Sequence, residues 1–392
     1  MLKDCARYIG LGPIGVLEII LSLVIILSRY NLFGIPFSFI TVVIMIIIAL
    51  ARGAKFHFSS NKALTLLLIY WTFHDLIWIL ISKDTPQYFF NQRLVLYTIF
   101  LSLFILYRAI DKDKLYNSIN WIAIISIIGM LYHYLQIFSG KFIQPLNILP
   151  LNVNRAEAYE VLSRPTSFYS EPQAFVSFMM IPLFLSLTQK KYIWSLIISI
   201  SILLSTSSTG ILVVGLIYLT YIISSKMNFW KRMSFFITII CIAVAYINLD
   251  YFREGREKIE TQDYSTNIRL QTGLVAFQEM DPIYYFFGVP HTVPIEYVKE
   301  VGLDLMGGGF DLYNNYVFLP TFWGLLIMFG IVGLILFLNV YYKFYKINKD
   351  LLPLLMCLLV LMFSNSDLIS INDLFYITFI FVFVSKNKKI VT

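Results

Sequence analysis

The feature that most restricts what this chain can fold into is the recurrence of long apolar runs. Stretches such as Ile35 to Ala51 and Ile119 to Ser139 return throughout the 392 residues. A helix needs roughly 20 residues to cross a hydrocarbon core about 30 Å thick. Backbone N–H and C=O groups find no water in lipid, so each run is expected to be helical. The continuous runs argue against a barrel, whose strands alternate apolar and polar residues. With 58% hydrophobic, 17% aromatic and 14% charged residues, the composition is that of a polytopic membrane protein and not of a soluble domain. The expected fold is all-α, a single integral membrane domain over residues 1–392 with about twelve transmembrane helices.

Spans are predicted near residues 11–28, 35–51, 63–82, 94–107, 119–138, 173–188, 192–205, 209–224, 233–249, 316–340, 351–364 and 368–385. The first follows a short charged start and lacks a small-residue cleavage site, which predicts a retained helix and not a removed signal peptide. Cys5, Cys241 and Cys357 lie far apart, in the terminus or inside apolar runs, so neither a disulfide framework nor a thiolate metal site is implied.

The formal charge of +7 raises the question of nucleic acid, but on a membrane protein the side on which Lys and Arg sit comes first. Counted from a cytoplasmic N-terminus, every connector on that side is basic: Arg52, Lys55 and Lys62; Arg108, Lys112 and Lys114; Lys190 and Lys191; Lys226, Lys231 and Arg232; Lys343, Lys346 and Lys349; and the tail Lys386, Lys388 and Lys389. The short connectors on the other side hold Arg29, Lys83 and Arg93, and the turns at Thr206 to Ser208 and Asn365 to Asp367 hold no cation. This asymmetry predicts both termini on the cytoplasmic side of the membrane, with the basic charge answering to topology and not to a nucleic-acid partner.

Two connectors are long, residues 140–172 and 250–315, and both fall on the external face. Long connections between packed elements are uncommon without a role. These two carry Lys141, Arg155, Arg164, Arg253, Arg256, Lys258, Arg269 and Lys299 against the topological bias, which suggests an anionic ligand. In the second loop Ser265-Thr266-Asn267 supplies helix-capping residues, and Leu270, Leu274 and Phe277 recur at helical spacing until Asp281-Pro282. A short amphipathic helix near the membrane surface is expected there, with Arg269 close to its start. Phe287 to His291, Gly307 to Gly309, and then Asp311, Asn314 and Asn315 lead to the mouth of the next span.

Chemistry concentrates in Arg164-Pro165-Thr166-Ser167-Phe168-Tyr169-Ser170-Glu171-Pro172-Gln173, where two prolines deny a regular helix to a segment rich in hydroxyls and charge. Arg164 and Arg269 suit bidentate binding of phosphate oxygens at the membrane boundary, or else pairing with carboxylates and lipid headgroups. Glu171 suits either a general base or a helix-capping carboxylate. His291 is the only histidine in either long loop and the other candidate base. Asp311, Asn314 and Asn315 can bind sugar hydroxyls or cap the following helix. Within the runs, Glu18, His74, Asp75 and His133 suit a proton relay or interhelical hydrogen bonds. Asp111-Lys112-Asp113 looks like a metal-holding acidic pair of sugar-nucleotide enzymes, but its short connector favours an ordinary solvated loop. Phosphate-loop, zinc-protease and serine-hydrolase motifs are missing from the sequence.

The Arg164 to Pro172 stretch resembles the signature that opens a helix in bacterial O-antigen and capsule polymerases and the related O-antigen ligases. Leu203 to Gly210 is similar to their Ser-rich turn, although Thr209 stands near the place of its usual Arg. The segment from Arg269 through Asp281-Pro282, Phe287-Gly288 and Asn314-Asn315 to Gly330-Ile331-Val332-Gly333 resembles their large external loop and the helix after it. The resemblance covers about Arg164 to Gly333, and the order of the three motifs is more specific than any one of them.

The resemblance implies a metal-independent glycosyltransferase of GT-C-like fold, without a cofactor, that acts on undecaprenyl-diphosphate-linked oligosaccharide at the external face of the inner membrane. It implies polymerisation of repeat units into O-antigen (lipopolysaccharide biosynthesis) or capsular polysaccharide, with membrane lipids, a chain-length regulator and a flippase of the same pathway as partners. Arg164 and Arg269 would then hold the donor diphosphate and stabilise it as leaving group. Glu171 would be the base, with His291, Asp311, Asn314 and Asn315 near the acceptor. The alternatives are an O-antigen ligase, disfavoured because Asn314-Asn315 stands where that branch often has His-Asn, and a flippase for lipid-linked oligosaccharide.

Overall fold

A computed structural model of the chain describes residues 8–32, 35–56, 62–81, 86–144, 146–153, 164–224, 228–248, 273–289, 310–311, 316–317, 320–364 and 371–385. The molecule is mostly helical, and each of the twelve predicted segments contains a helix. These are α1 (Val16–Leu27), α2 (Phe37–Ala51), α3 (Lys62–Ile81), α4 (Pro86–Ala109), α5 (Lys112–Phe138), α6 (Pro172–Thr188), α7 (Tyr192–Leu204), α8 (Ser208–Ser224) and α9 (Phe229–Asn248). Two short helices of the second long loop follow, α10 (Gly273–Gln278) and α11 (Pro282–Phe287), and then α12 (Thr321–Ile347), α13 (Leu352–Ser364) and α14 (Ile371–Ser385).

Helices α3, α5 and α12 are long and apolar enough to cross a bilayer, and several shorter apolar helices pack with them. The shorter ones fall below the length predicted for a span. At about 1.5 Å per residue, the 13 residues of α7 extend roughly 20 Å, against a hydrocarbon core of about 30 Å. The surface is rich in large apolar side chains, among them Leu80, Phe138 and Trp230, each more than four-fifths exposed, while Glu18, Arg29, His74, Asp75, His133 and Asp373 are buried. Apolar groups outside and polar groups within suit lipid as the surrounding solvent.

Helix α6 is the centre of the bundle. Its sequence is apolar all round, so it has no face to turn to water, and nearly all of its 17 residues are buried. It touches α5, α7, α8 and α13, while α14 lies against α1 and α4, and α12 against α3 and α13. Flat stacking of Phe178 on Phe375 and an edge contact of Phe184 with Phe379 join α6 to α14.

Connectors sort to two ends. At one, Asn120 and Lys191 donate to the Ile9 carbonyl at 3.0 and 3.3 Å, Asn117 donates to that of Pro13 at 3.0 Å, and the Asp111 N–H donates to Glu18 Oε1 at 2.7 Å. At the other, Gln173 donates to the Ser364 carbonyl at 3.1 Å and Phe322 stacks on Phe363. There too a small antiparallel sheet of order β2-β1-β3 ties β1 (Tyr30–Leu32) to β2 (Ile35–Pro36) and to β3 (Asn152–Val153) in the first long loop. The described contacts thus gather the N-terminal segment with the connectors near residues 111 and 191 at one end, and those near residues 30, 168 and 364 at the other.

Four expectations are corrected. The span predicted over 316–340 begins later, because Tyr316–Val317 is a strand (β5) paired with β4 (Phe310–Asp311), and Pro320 precedes the first helical residue, Thr321. Asp311 pairs with Tyr316 there, and the N-cap position of the helix falls at Pro320. In the second loop the Asp281-Pro282 pair, expected only to end a helix, starts one: Pro282 needs no N–H partner at the first helical position, and Asp281 stands at the N-cap. Finally, α12 is interrupted at Gly330 (φ 65°, ψ −173°), a conformation open in practice to glycine alone.

Candidate functional site

The Arg164 to Gln173 stretch is an irregular turn leading into α6, and its residues divide between two environments. Pro165, Thr166, Ser167 and Tyr169 are buried, Arg164, Phe168 and Ser170 are half-buried, and Glu171 is exposed. Ser167 has a positive φ of 57°, which an L-residue holds only when its surroundings enforce it. Those surroundings are on α5. The Ser167 hydroxyl donates to the Ser126 carbonyl at 2.7 Å, and the N–H groups of Thr166 and Ser167 both point to Nδ1 of His133 at 3.3 Å. Two donors at one ring nitrogen require that nitrogen to be an acceptor, which places the imidazole proton on Nε2.

Tyr169 completes the inner side, with its hydroxyl 3.0 Å from Ser126 Oγ and its ring edge-on to Phe175. Burial holds its phenol above the ordinary tyrosine range, with Tyr376 adding to the effect and the Ser126 hydrogen bond opposing it. Tyr169 therefore stays a protonated hydroxyl near neutrality, bonded to Ser126. The turn needs Gly129, because a Cβ there would collide with Ser167 Oγ and the Phe168 ring. From the end of α1, buried Arg29 donates through Nη1 to the carbonyls of Leu146 at 2.9 Å and Phe168 at 3.1 Å, while Tyr30 accepts from the Ile148 N–H at 2.7 Å.

This division decides which predicted groups are open to a ligand. Arg164 makes no hydrogen bond or ion pair with any described residue, and Glu171 occupies the N-cap position of α6 without a side-chain capping bond. Ser170 lies beside Glu171 and is half-buried. Of the other predicted site residues, Arg269, His291, Asn314 and Asn315 lie outside the described residues, and Asp311 is described only as a strand residue of the β4–β5 hairpin. The structure thus brings Arg164 and Glu171 to one turn at one end of the bundle.

Sequence reading did not connect Arg29, Ser126, Gly129 and His133 to this turn. An arginine directly after an apolar run, and a histidine within one, were the signals available. The remaining membrane-level ionisable groups have structural partners. Trp78 Nε1 can only donate, so His74 Nε2 accepts at 2.8 Å, leaving the Nδ1 proton facing Asp75 Oδ1 at 3.3 Å. Tyr97 on α4 donates to Asp75 Oδ2 at 2.6 Å, so the interhelical hydrogen bond expected of this pair is present. Tyr341 likewise donates to fully buried Asp373 at 2.8 Å, a carboxyl that the sequence reading passed over near the start of its apolar run. Asp111 is the N-cap of α5, accepting from the N–H groups of Asp113 and Lys114.

The chain matches no known family model, and no curated protein matches it.

Proposed function

We propose that this chain is an inner-membrane polysaccharide polymerase. A sugar hydroxyl of one lipid-linked repeat unit attacks the anomeric carbon of the reducing-end sugar of a growing chain. The new glycosidic bond forms as the anomeric carbon–oxygen bond to undecaprenyl diphosphate breaks, and the hydroxyl proton passes to a base.

The observation that carries this reading is the state of Arg164. It is a half-buried residue with no partner among the described residues, on a turn held by α5 and by Arg29 at the end of α1. A fixed, partly desolvated cation is what a diphosphate leaving group requires, and its planar fork matches phosphate oxygens. Glu171, uncommitted to capping, is the base in this reading. Arg269 is the second diphosphate ligand, and His291, Asp311, Asn314 and Asn315 face the acceptor. With both termini cytoplasmic, this chemistry falls on the external face.

The test is separate conversion of Arg164 and Arg269 to alanine, followed by chain-length ladders of surface polysaccharide. Both variants should lose long chains, and normal ladders from both reject the assignment. The same experiment separates the O-antigen ligase, whose loss leaves no repeat attached to core, from a polymerase, whose loss leaves single repeats. A second reading, a proton-coupled flippase for lipid-linked oligosaccharide, draws on the His74–Asp75–Tyr97 network. It predicts transport of single repeats in proteoliposomes without polymer.

A further inference from the structure

The second long loop is joined to the bundle backbone to backbone, at the interruption in α12. The Val289 N–H donates to the Ile327 carbonyl at 2.8 Å, and Tyr70 of α3 donates to the Phe329 carbonyl, also at 2.8 Å. Both glycines at the junction are required by contact. A Cβ on Gly288 would strike the Met328 carbonyl, and one on Gly330 would strike that of Phe286, and both residues hold positive φ. Ala276, Met280, Val289 and Ile327 form a small core of their own there, so α10, α11 and the first part of α12 pack as one piece.

Helix α3 serves as a depth gauge. Its 20 residues extend about 30 Å, the thickness of the hydrocarbon core. The Tyr284 ring of α11 meets Trp78, three residues from the Ile81 end, and Phe329 meets His74, seven residues from it. At about 1.5 Å per residue, α11 runs from near that end down to a depth of roughly 10 Å. Polar Gln278, Glu279 and Asp281 are exposed at its upper end. Ile283, Phe286 and Phe287, at the i, i+3, i+4 spacing of one helix face, are each more than half exposed. On α3, Phe73, Leu76, Ile77 and Leu80 are exposed apolar residues as well.

We infer that α11 is a re-entrant wedge whose Ile283, Phe286 and Phe287 face enters the hydrocarbon of the external leaflet, with lipid chains as its partner and the Gly288–Gly330 junction fixing its depth. Such a segment is tolerated in lipid because its backbone is helical or bonded to α12. A helix resting on the surface would keep those side chains at headgroup level.

The inference needs no assumption about sugar chemistry. Nitroxide labels are placed at Ile283→Cys, Phe286→Cys, Ile77→Cys and Glu279→Cys, in full-length chain with Cys5 and Cys241 changed to serine and Cys357 to alanine. The protein is reconstituted in phosphatidylcholine–phosphatidylglycerol vesicles, and accessibility to oxygen and to a water-soluble nickel chelate is measured. Labels at 283 and 286 should match the one at 77, rich in oxygen contact and shielded from nickel, while the label at 279 should be open to nickel. Nickel access at 283 and 286 equal to that at 279 overturns the wedge. With Gly330→Ala added, the label at 286 should shift towards the 279 pattern, and an unshifted label overturns the role of the junction. The labels in the Gly330 background test the wedge even where that variant fails to fold.

Discussion

Arg29 donates to the Phe168 carbonyl across 139 positions of sequence, so a buried cation at the end of one helix shapes the turn that presents a different arginine, Arg164. The first guanidinium is engaged inside the protein, and the second has no partner among the described residues. Their roles should separate under mutation. Arg29→Ala removes a buried charged donor from two half-buried carbonyls and should destabilise the protein by about 1.5–3 kcal/mol, with Arg29→Lys only partly restoring it because one ammonium replaces a planar fork. Thermal unfolding in detergent measures both, and an Arg29→Ala protein as stable as the parent contradicts the assignment.

Gly129 is a packing requirement of the same turn. Gly129→Ala would push Ser167 and Phe168 away from α5, and overpacking of this kind costs about 1–3 kcal/mol. A midpoint unchanged in the same unfolding assay would show that the turn gives way freely.

His133 acts as an acceptor through Nδ1, so its replacement by asparagine, which can offer a carbonyl oxygen, should be milder than replacement by alanine. Alanine leaves two buried N–H groups unsatisfied, at about 1–3 kcal/mol for each such group in the limit of no rearrangement. Equal losses from His133→Asn and His133→Ala would mean that ring packing, and not hydrogen bonding, is what the turn uses.

Glu171 separates capping from chemistry. It makes no side-chain capping bond, so Glu171→Gln should change stability by no more than about 0.5 kcal/mol, the range of surface substitutions. As the proposed base, it should lower turnover roughly 10²-fold or more at unchanged stability. Normal turnover removes Glu171 from the mechanism and leaves the base to be sought elsewhere.

Much of this architecture was legible in the residues. Continuous apolarity located every one of the twelve helical segments. Helix ends were less visible. Residues 112–118 and 341–347 are polar enough to read as connectors, yet they continue α5 and α12, the first from the Asp111 cap and the second with Lys346 near the end where a cation suits the helix dipole. The interruption at Gly330 could not be read locally, because a glycine in an apolar run is ordinarily tolerated within a helix. Here it depends on Gly288, more than forty residues earlier. The same limit hid the buried side of the candidate site: pattern and spacing singled out Arg164 and Glu171, whereas Ser126, Gly129 and His133 join them only through tertiary contact.

The most direct measurement is made with purified protein in lipid vesicles supplied with undecaprenyl-diphosphate-linked repeat units, following release of undecaprenyl diphosphate and the length of the sugar chains. The parent protein should release one diphosphate lipid for each repeat joined, and Arg164→Ala should lower that rate by about 10²-fold or more, as loss of a charge-stabilising donor does elsewhere. Chains of undiminished length and rate from the Arg164→Ala protein would contradict the account.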